Sequence, residues 1–207
     1  MLHTEVLPGH SLDLLKKLSP VVAENGFYLA GGTALALQIG HRISVDLDFF
    51  SEEVFDPTRI VSLLTPLVSS PPKIIQQTTG SICVLAERTK VELFHYPYPV
   101  LADPGVKDGI SLVSLPDLAA MKLSAIANRG AKKDFIDIAA LLRKFTLEEL
   151  LGFHEKKFPQ TDLLTVVKSL AWFAEAETEP DPEFLHQQTW ESVKSAILQA
   201  VVEEATK

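Results

Sequence analysis

The sequence holds one cysteine, two methionines and two tryptophans in 207 residues. A lone thiol, Cys83, permits no internal disulfide and no cysteine-rich metal cluster. No apolar run approaches the roughly 18–20 residues of a membrane-spanning helix, because Gly, Pro or charge interrupts each one. The opening, MLHTEVLPGHSLDLLKK, lacks the basic-then-apolar region of a secretion signal. Positive charge is also scarce: 19 Lys and Arg face 27 Asp and Glu, a net charge of −8. That balance argues against broad binding to duplex nucleic acid, which needs many cations on phosphate. It leaves room for a local basic patch, since Lys and Arg cluster between Lys122 and Lys144 while carboxylates gather after Glu148. Hydrophobic residues make up 46% of the chain and charged ones 22%, enough for a true core and incompatible with wholesale disorder. The expectation is a soluble, cytoplasmic protein with no membrane role.

Apolar spacing predicts a first helix over Ser11–Asn25 and a short buried strand over Phe27–Ala30. Gly31-Gly32 then turns the chain into a helix over Thr33–Ile39, with Thr33 as N-cap and Gly40 as the C-terminal stop. Val45–Phe50 alternates as a half-buried strand. A helix over Thr58–Leu67 precedes strands at Lys73–Thr78, Ser81–Glu87 and Thr89–Phe94, joined tightly at Thr79-Gly80 and Arg88. Tyr96–Gly109 reads as loop and Ile110–Val113 as a short edge strand. From Leu115 onward only helices are expected, near 115–128, 132–142, 147–157, 161–173 and 189–205, with Glu175–Glu183 as a solvated linker. Ser114 and Asp117 carry a capping signal for the first of these. The fold class is therefore α+β: an α/β core over 1–114, then a helical region over 115–207.

Five groups of residues bear chemistry. Gly31-Gly32-Thr33 sits between a strand and a helix, where glycines admit a close ligand and helix N–H groups suit phosphate. An ordinary strand-to-helix turn would read the same. Asp46 and Asp48 share one face of a strand, roughly 6–7 Å apart, as hard oxygen ligands for Mg²⁺. Plain alternation on a solvent-facing strand is the bland alternative, although Asp is a poor strand former. Glu92 could join them from a neighbouring strand, or could simply pair with Lys90 or Arg88. Lys122 and Arg129 lie seven apart on one helix face, with Lys132, Lys133, Asp134 and Asp137 close behind. Their alternative is a solvated surface with pairs such as Lys133–Asp137. Last, Phe94-His95-Tyr96-Pro97-Tyr98 could stack on a base or cap a core. His41 and His95 have no second histidine at metal-site spacing, and Cys83 reads as core.

The string GGTALALQIGHRISVDLDFF at 31–50 resembles the opening motif of the polymerase-β-like nucleotidyltransferases. More narrowly it resembles the AbiEii/AbiGii toxin family of bacterial type IV toxin–antitoxin systems. VELFHYPYPVL and then LPDLAAMKLSAIANRGAKKDFIDIAALL at 115–142 follow in the same order, so the resemblance spans about 25–145. It implies a polymerase-β-like core and Mg²⁺-dependent transfer of a nucleoside monophosphate from a nucleoside triphosphate. By that resemblance Gly31, Gly32 and Thr33 hold the triphosphate, and Arg42 and Ser44 form the R-x-S before the metal motif. Asp46, Asp48 and Glu92 hold the metal, two ions in number. Lys122 matches the family's helical lysine, and Asp134 and Asp137 its later acidic motif. Arg129 completes the nucleotide-binding candidates. The implied acceptor is an RNA such as tRNA and the implied partner an antitoxin. Transfer onto a protein hydroxyl, and a binding module without catalysis, are the competing readings.

Overall fold

The computed structural model describes residues 1–185 and 188–207, in two compact units. Unit 1 comprises residues 1–99 and 103–113, and unit 2 comprises 100–102 and 114–207.

Unit 1 begins with a 3₁₀ turn at Thr4–Val6 and then α1 (Gly9–Glu24), which buries Leu14, Leu15, Leu18 and Val22. Next come β1 (Tyr28–Leu29) and α2 (Gly31–Ile39). Both glycines thus lie inside the helix, and Ala30, not Thr33, is its N-cap. Thr33 is buried instead, because its hydroxyl has partners in the segment that follows. Gly40 stops α2 as expected, in the left-handed conformation at φ 66°, with its N–H on the Ala36 carbonyl. β2 (Leu47–Ser51) and α3 (Pro57–Leu64, capped by Asp56) follow, then β3 (Lys73–Gln77), β4 (Ser81–Ala86) and β5 (Thr89–His95). The stretch read as loop up to Gly109 contains β6 (Gly105–Lys107), which forms a hairpin with β7 (Ile110–Leu112). Asp108 and Gly109 turn that hairpin with φ of 52° and 78°, the Asp-Gly signature of a tight turn. β6, not β7, is therefore the edge strand.

The strands form one mixed sheet in the order β3-β4-β5-β2-β1-β7-β6. β2 runs parallel to β5 and β1 parallel to β7, while the remaining pairs are antiparallel. Leu47 and Phe49 of β2 and Val91 and Leu93 of β5 point to the face that α1 covers, where Ser11 hydrogen-bonds Thr89 at 2.9 Å. The period of two sends Asp48, Phe50, Lys90, Glu92 and Phe94 to the other face. Phe50, Phe94, Tyr96 and Tyr98 form a chain of ring contacts there, so the aromatic run beyond β5 caps part of the sheet.

Unit 2 contains α4 (Leu115–Arg129), α5 (Lys132–Leu141), α6 (Leu147–Lys157), α7 (Leu163–Leu170), α8 (Ala174–Glu177) and α9 (Trp190–Ala205). α7 is shorter than the spacing implied, and the expected linker carries α8. Ser114 accepts the Asp117 N–H and caps α4. Asp117 is fully buried and receives Lys157 Nζ at 2.8 Å and the Leu101 N–H at 2.9 Å. The Leu101 bond ties residues 100–102 to this unit. α4 packs on α5, α6 and α7, and α5 packs on α9.

Candidate active site

In unit 1 the site grows from the junction of β1, α2 and β2. Gly31 has φ +65°, a conformation that costs any residue with a Cβ. A Cβ there would also stand 2.5 Å from Asp48 Oδ2. At Gly32 a Cβ would run into the Arg42 guanidinium. The two glycines therefore let the start of α2 lie directly against a carboxylate and a guanidinium. Ala30 gives the helix no side-chain cap, which leaves its first-turn N–H groups to a ligand.

Thr33 locks the strand's entry. Its hydroxyl donates to the Asp46 carbonyl, and Ser44, 2.7 Å away, then donates to Thr33 Oγ1. Thr33, Ser44 and Arg42 are all buried. Arg42 Nη1 donates to the Ile43 carbonyl at 3.0 Å. Thr33 and Ser44 thus position the backbone that carries Asp46, which precedes β2 rather than lying in it.

β2 and β5 run in register, with Asp48 opposite Glu92. The β4–β5 hairpin turns at Glu87 and Arg88, both at positive φ, and this sets Cys83 opposite Glu92 on its other side. Asp48, Glu92 and Cys83 therefore make one row across three strands. Lys90 Nζ holds Glu92 Oε2 at 2.8 Å, which raises the lysine's pKa. Burial first, and then the Glu92 charge, pushes the Cys83 thiol up, with Lys90 opposing. Asp46 also acts on both Lys90 and Cys83. Cys83 is buried, as its reading as core implies, but it also stands beside Glu92 and Lys90. The signal that sequence reasoning missed is hairpin register: a two-residue turn at 87–88 determines every pair above it.

Among the described residues no three His, Cys, Asp or Glu side chains converge as a ready metal site. The expected closed set of Asp46, Asp48 and Glu92 is not formed, and neither His41 nor His95 belongs to one. The donor chemistry nonetheless fits Mg²⁺: carboxylates two residues apart, with a third in register on the adjacent strand. Lys90 already holds one oxygen of Glu92, so an ion at this carboxylate meets a competing cation.

Unit 2 gathers its own candidates. Lys122, buried on α4, bridges Asp134 at 2.8 Å and Asp137 at 2.6 Å. Arg129 clamps Asp134 through Nε at 2.8 Å and Nη2 at 3.2 Å. Asp137 therefore pairs with Lys122 and not with Lys133, and Lys122 and both carboxylates are buried rather than on a solvated helix face, while Arg129 stays exposed. Burial alone would raise the Asp134 pKa, but Lys122 and Arg129 outweigh it and hold the carboxyl below the usual range. Lys132 is also inward: its Nζ reaches the Glu179 carbonyl at 2.5 Å and Asp181 at 3.0 Å.

A mixed sheet whose glycine turn opens a helix against a strand aspartate is the architecture of a nucleotidyltransferase. Residues 13–102 and 95–205 match the family described as nucleotidyl transferase AbiEii toxin, type IV toxin–antitoxin system. The chain belongs to that family and is a nucleotidyltransferase. An uncharacterized protein of Aquifex aeolicus is 36% identical over 197 residues, spanning 92% of this chain and 94% of its own. The crystal structure of JHP933 from Helicobacter pylori aligns with a TM-score of 0.54 at 18% identity, over 94% of this chain and 90% of that one. The nucleotidyltransferase toxin MenT4 from Mycobacterium tuberculosis aligns with a TM-score of 0.55 at 13% identity, over 94% and 84%. At such identities these two structures share the fold. No helix among the described residues is long and apolar enough to cross a membrane.

Proposed function

We propose that this nucleotidyltransferase moves a nucleoside monophosphate from a nucleoside triphosphate onto a hydroxyl of an RNA acceptor, a tRNA, as the toxin of a toxin–antitoxin pair. The observation that carries this reading is Asp48 pressed against Gly31 at the uncapped start of α2, with Glu92 in register beside it. Gly31, Gly32 and the first-turn N–H groups cradle the triphosphate, and Arg42 adds charge there. Asp46, Asp48 and Glu92, once released from Lys90, hold two Mg²⁺ ions. When bound, the ions supply positive charge that activates the acceptor hydroxyl and neutralises the departing pyrophosphate. Glu92 or Asp46 accepts the hydroxyl proton. Thr33 and Ser44 hold Asp46 in place, and Lys122, Arg129, Asp134 and Asp137 form a charge-balanced cluster that braces α4 against α5 in unit 2.

The test is incubation with each of four labelled triphosphates, Mg²⁺ and total cell RNA. Label should enter RNA with release of pyrophosphate. Asp46→Ala or Asp48→Ala should abolish it while the circular dichroism spectrum stays unchanged. Label in protein instead would identify a protein hydroxyl as the acceptor. Triphosphate binding without pyrophosphate release would identify a binding module.

A further inference from the structure

The two tryptophans of the chain have opposite environments. Trp190 is 8% exposed, donates to Glu177 Oε2 at 3.0 Å, and packs on Phe135 and Phe173 beneath Lys132 and Lys194. Trp172, just past α7, is 63% exposed and has no ring contact and no side-chain hydrogen bond among the described residues. An indole left in water forgoes about 2–3 kcal/mol of burial, so such exposure calls for an explanation.

Trp172 lines a cleft of about 430 Å³ with Lys168, Ser169, Glu175, Asn128 and Arg129. Lys168 lies four residues before Trp172, is exposed, and forms no ion pair among the described residues. Lys133, at the start of α5, is likewise exposed and unpaired among them. The cleft thus combines a flat π-face, an exposed lysine whose charge also acts on Asp162, the Asn128 amide, whose Nδ2 donates to the Ser124 carbonyl, and the Glu175 carboxylate. Those are the parts that recognise an unpaired base with its phosphate. Its volume lies within the range of small-ligand pockets.

We infer that this cleft, between the C-terminal ends of α4 and α7, holds one unpaired nucleotide of the acceptor RNA. Trp172 stacks on the base, Lys168 takes its phosphate, and Asn128 and Glu175 face its edge. The inference rests on the RNA-acceptor reading above and deepens it.

The test uses the full chain with Asp46→Asn, which separates binding from chemistry. Deacylated tRNA, a blunt RNA duplex and free triphosphate are the three probes. Titration with tRNA should quench tryptophan fluorescence, whereas the duplex should not. Trp172→Ala should weaken tRNA binding, read by filter retention, roughly five- to hundredfold. Trp172→Phe should keep the affinity and lose the quenching. Lys168→Ala should reduce the slope of log affinity against log salt by about 0.7. Unchanged tRNA affinity in both Trp172→Ala and Lys168→Ala overturns the inference, even if wild-type protein labels RNA. Quenching by free triphosphate at the same concentrations also overturns it, since the cleft would then be a second nucleotide site. Capture of tRNA through Trp172 by a protein that transfers nothing would support the cleft and sink the catalytic reading alone.

Discussion

Gly31 is a residue with little freedom to change. Alanine there meets two penalties at once: a left-handed backbone, about 1–2 kcal/mol, and a Cβ 2.5 Å from Asp48 Oδ2. Gly31→Ala is expected to lower the melting temperature and to abolish triphosphate binding in calorimetry. Gly9→Ala is the control, because a Cβ at Gly9 meets nothing within 4 Å. Lys90 is the second informative residue. Its ammonium sits on Glu92 where a divalent cation would bind. Lys90→Met is expected to tighten Mn²⁺ binding several-fold, read by the loss of the free-ion paramagnetic resonance signal. Weaker or equal binding would mean that Lys90 supports the metal site instead of competing with it.

At the scale of elements, unit 2 is held by charges placed between helices. Lys122 of α4 meets Asp134 and Asp137 of α5, and Lys157 of α6 meets Asp117 of α4. Breaking such buried pairs costs about 3–5 kcal/mol, because the partner is left charged and dry. His154 of α6 differs: it is 1% exposed, and neither ring nitrogen has a hydrogen-bond partner among the described residues. Its ring lies 5.0 Å from that of Phe158, tilted by 48°. Burial holds its pKa below the ordinary 6.5, so folding favours the neutral ring. Below pH 6.5 the unfolded chain binds the proton more readily. Its contribution to stability is therefore complete above that pH and lost as pH falls toward the folded value, with a slope of up to about 1.4 kcal/mol per unit. His154→Phe is expected to flatten the urea-midpoint profile between pH 7 and 5. A profile with the same slope would place the titration elsewhere.

For the whole molecule, charge is distributed unevenly. Residues 145–207 hold twelve carboxylates against five lysines, net −7 of the chain's −8. Such a chain cannot release many counterions from a duplex. Blunt double-stranded RNA is expected to bind negligibly at ~0.15 M salt, while tRNA binds through a few local contacts. Electrophoretic shift across a salt series checks this. Tight duplex binding at that salt would show that a basic surface outweighs the net charge.

Periodicity alone determined most of the elements here: α1, the β3–β4–β5 meander and the helices after Leu115 follow directly from apolar spacing. The helix stop at Gly40 and the capping Ser114 were legible because local backbone chemistry dictates them, whereas the structure put Gly31 and Gly32 inside α2 and Asp46 ahead of β2. Short elements with weak patterns were not: β6 lay in a Gly-rich stretch, and α8 in an acidic one. What only the tertiary structure decided is who faces whom. It set Asp48 against Gly31, paired Glu92 with Lys90 rather than closing a carboxylate triad, and placed Cys83 in the same row. It also buried Asp134 and Asp137 around Lys122. The reason is physical: spacing along a chain sets which way a side chain points, but its partner comes from strand register and helix packing, set by the burial of apolar residues distant in sequence.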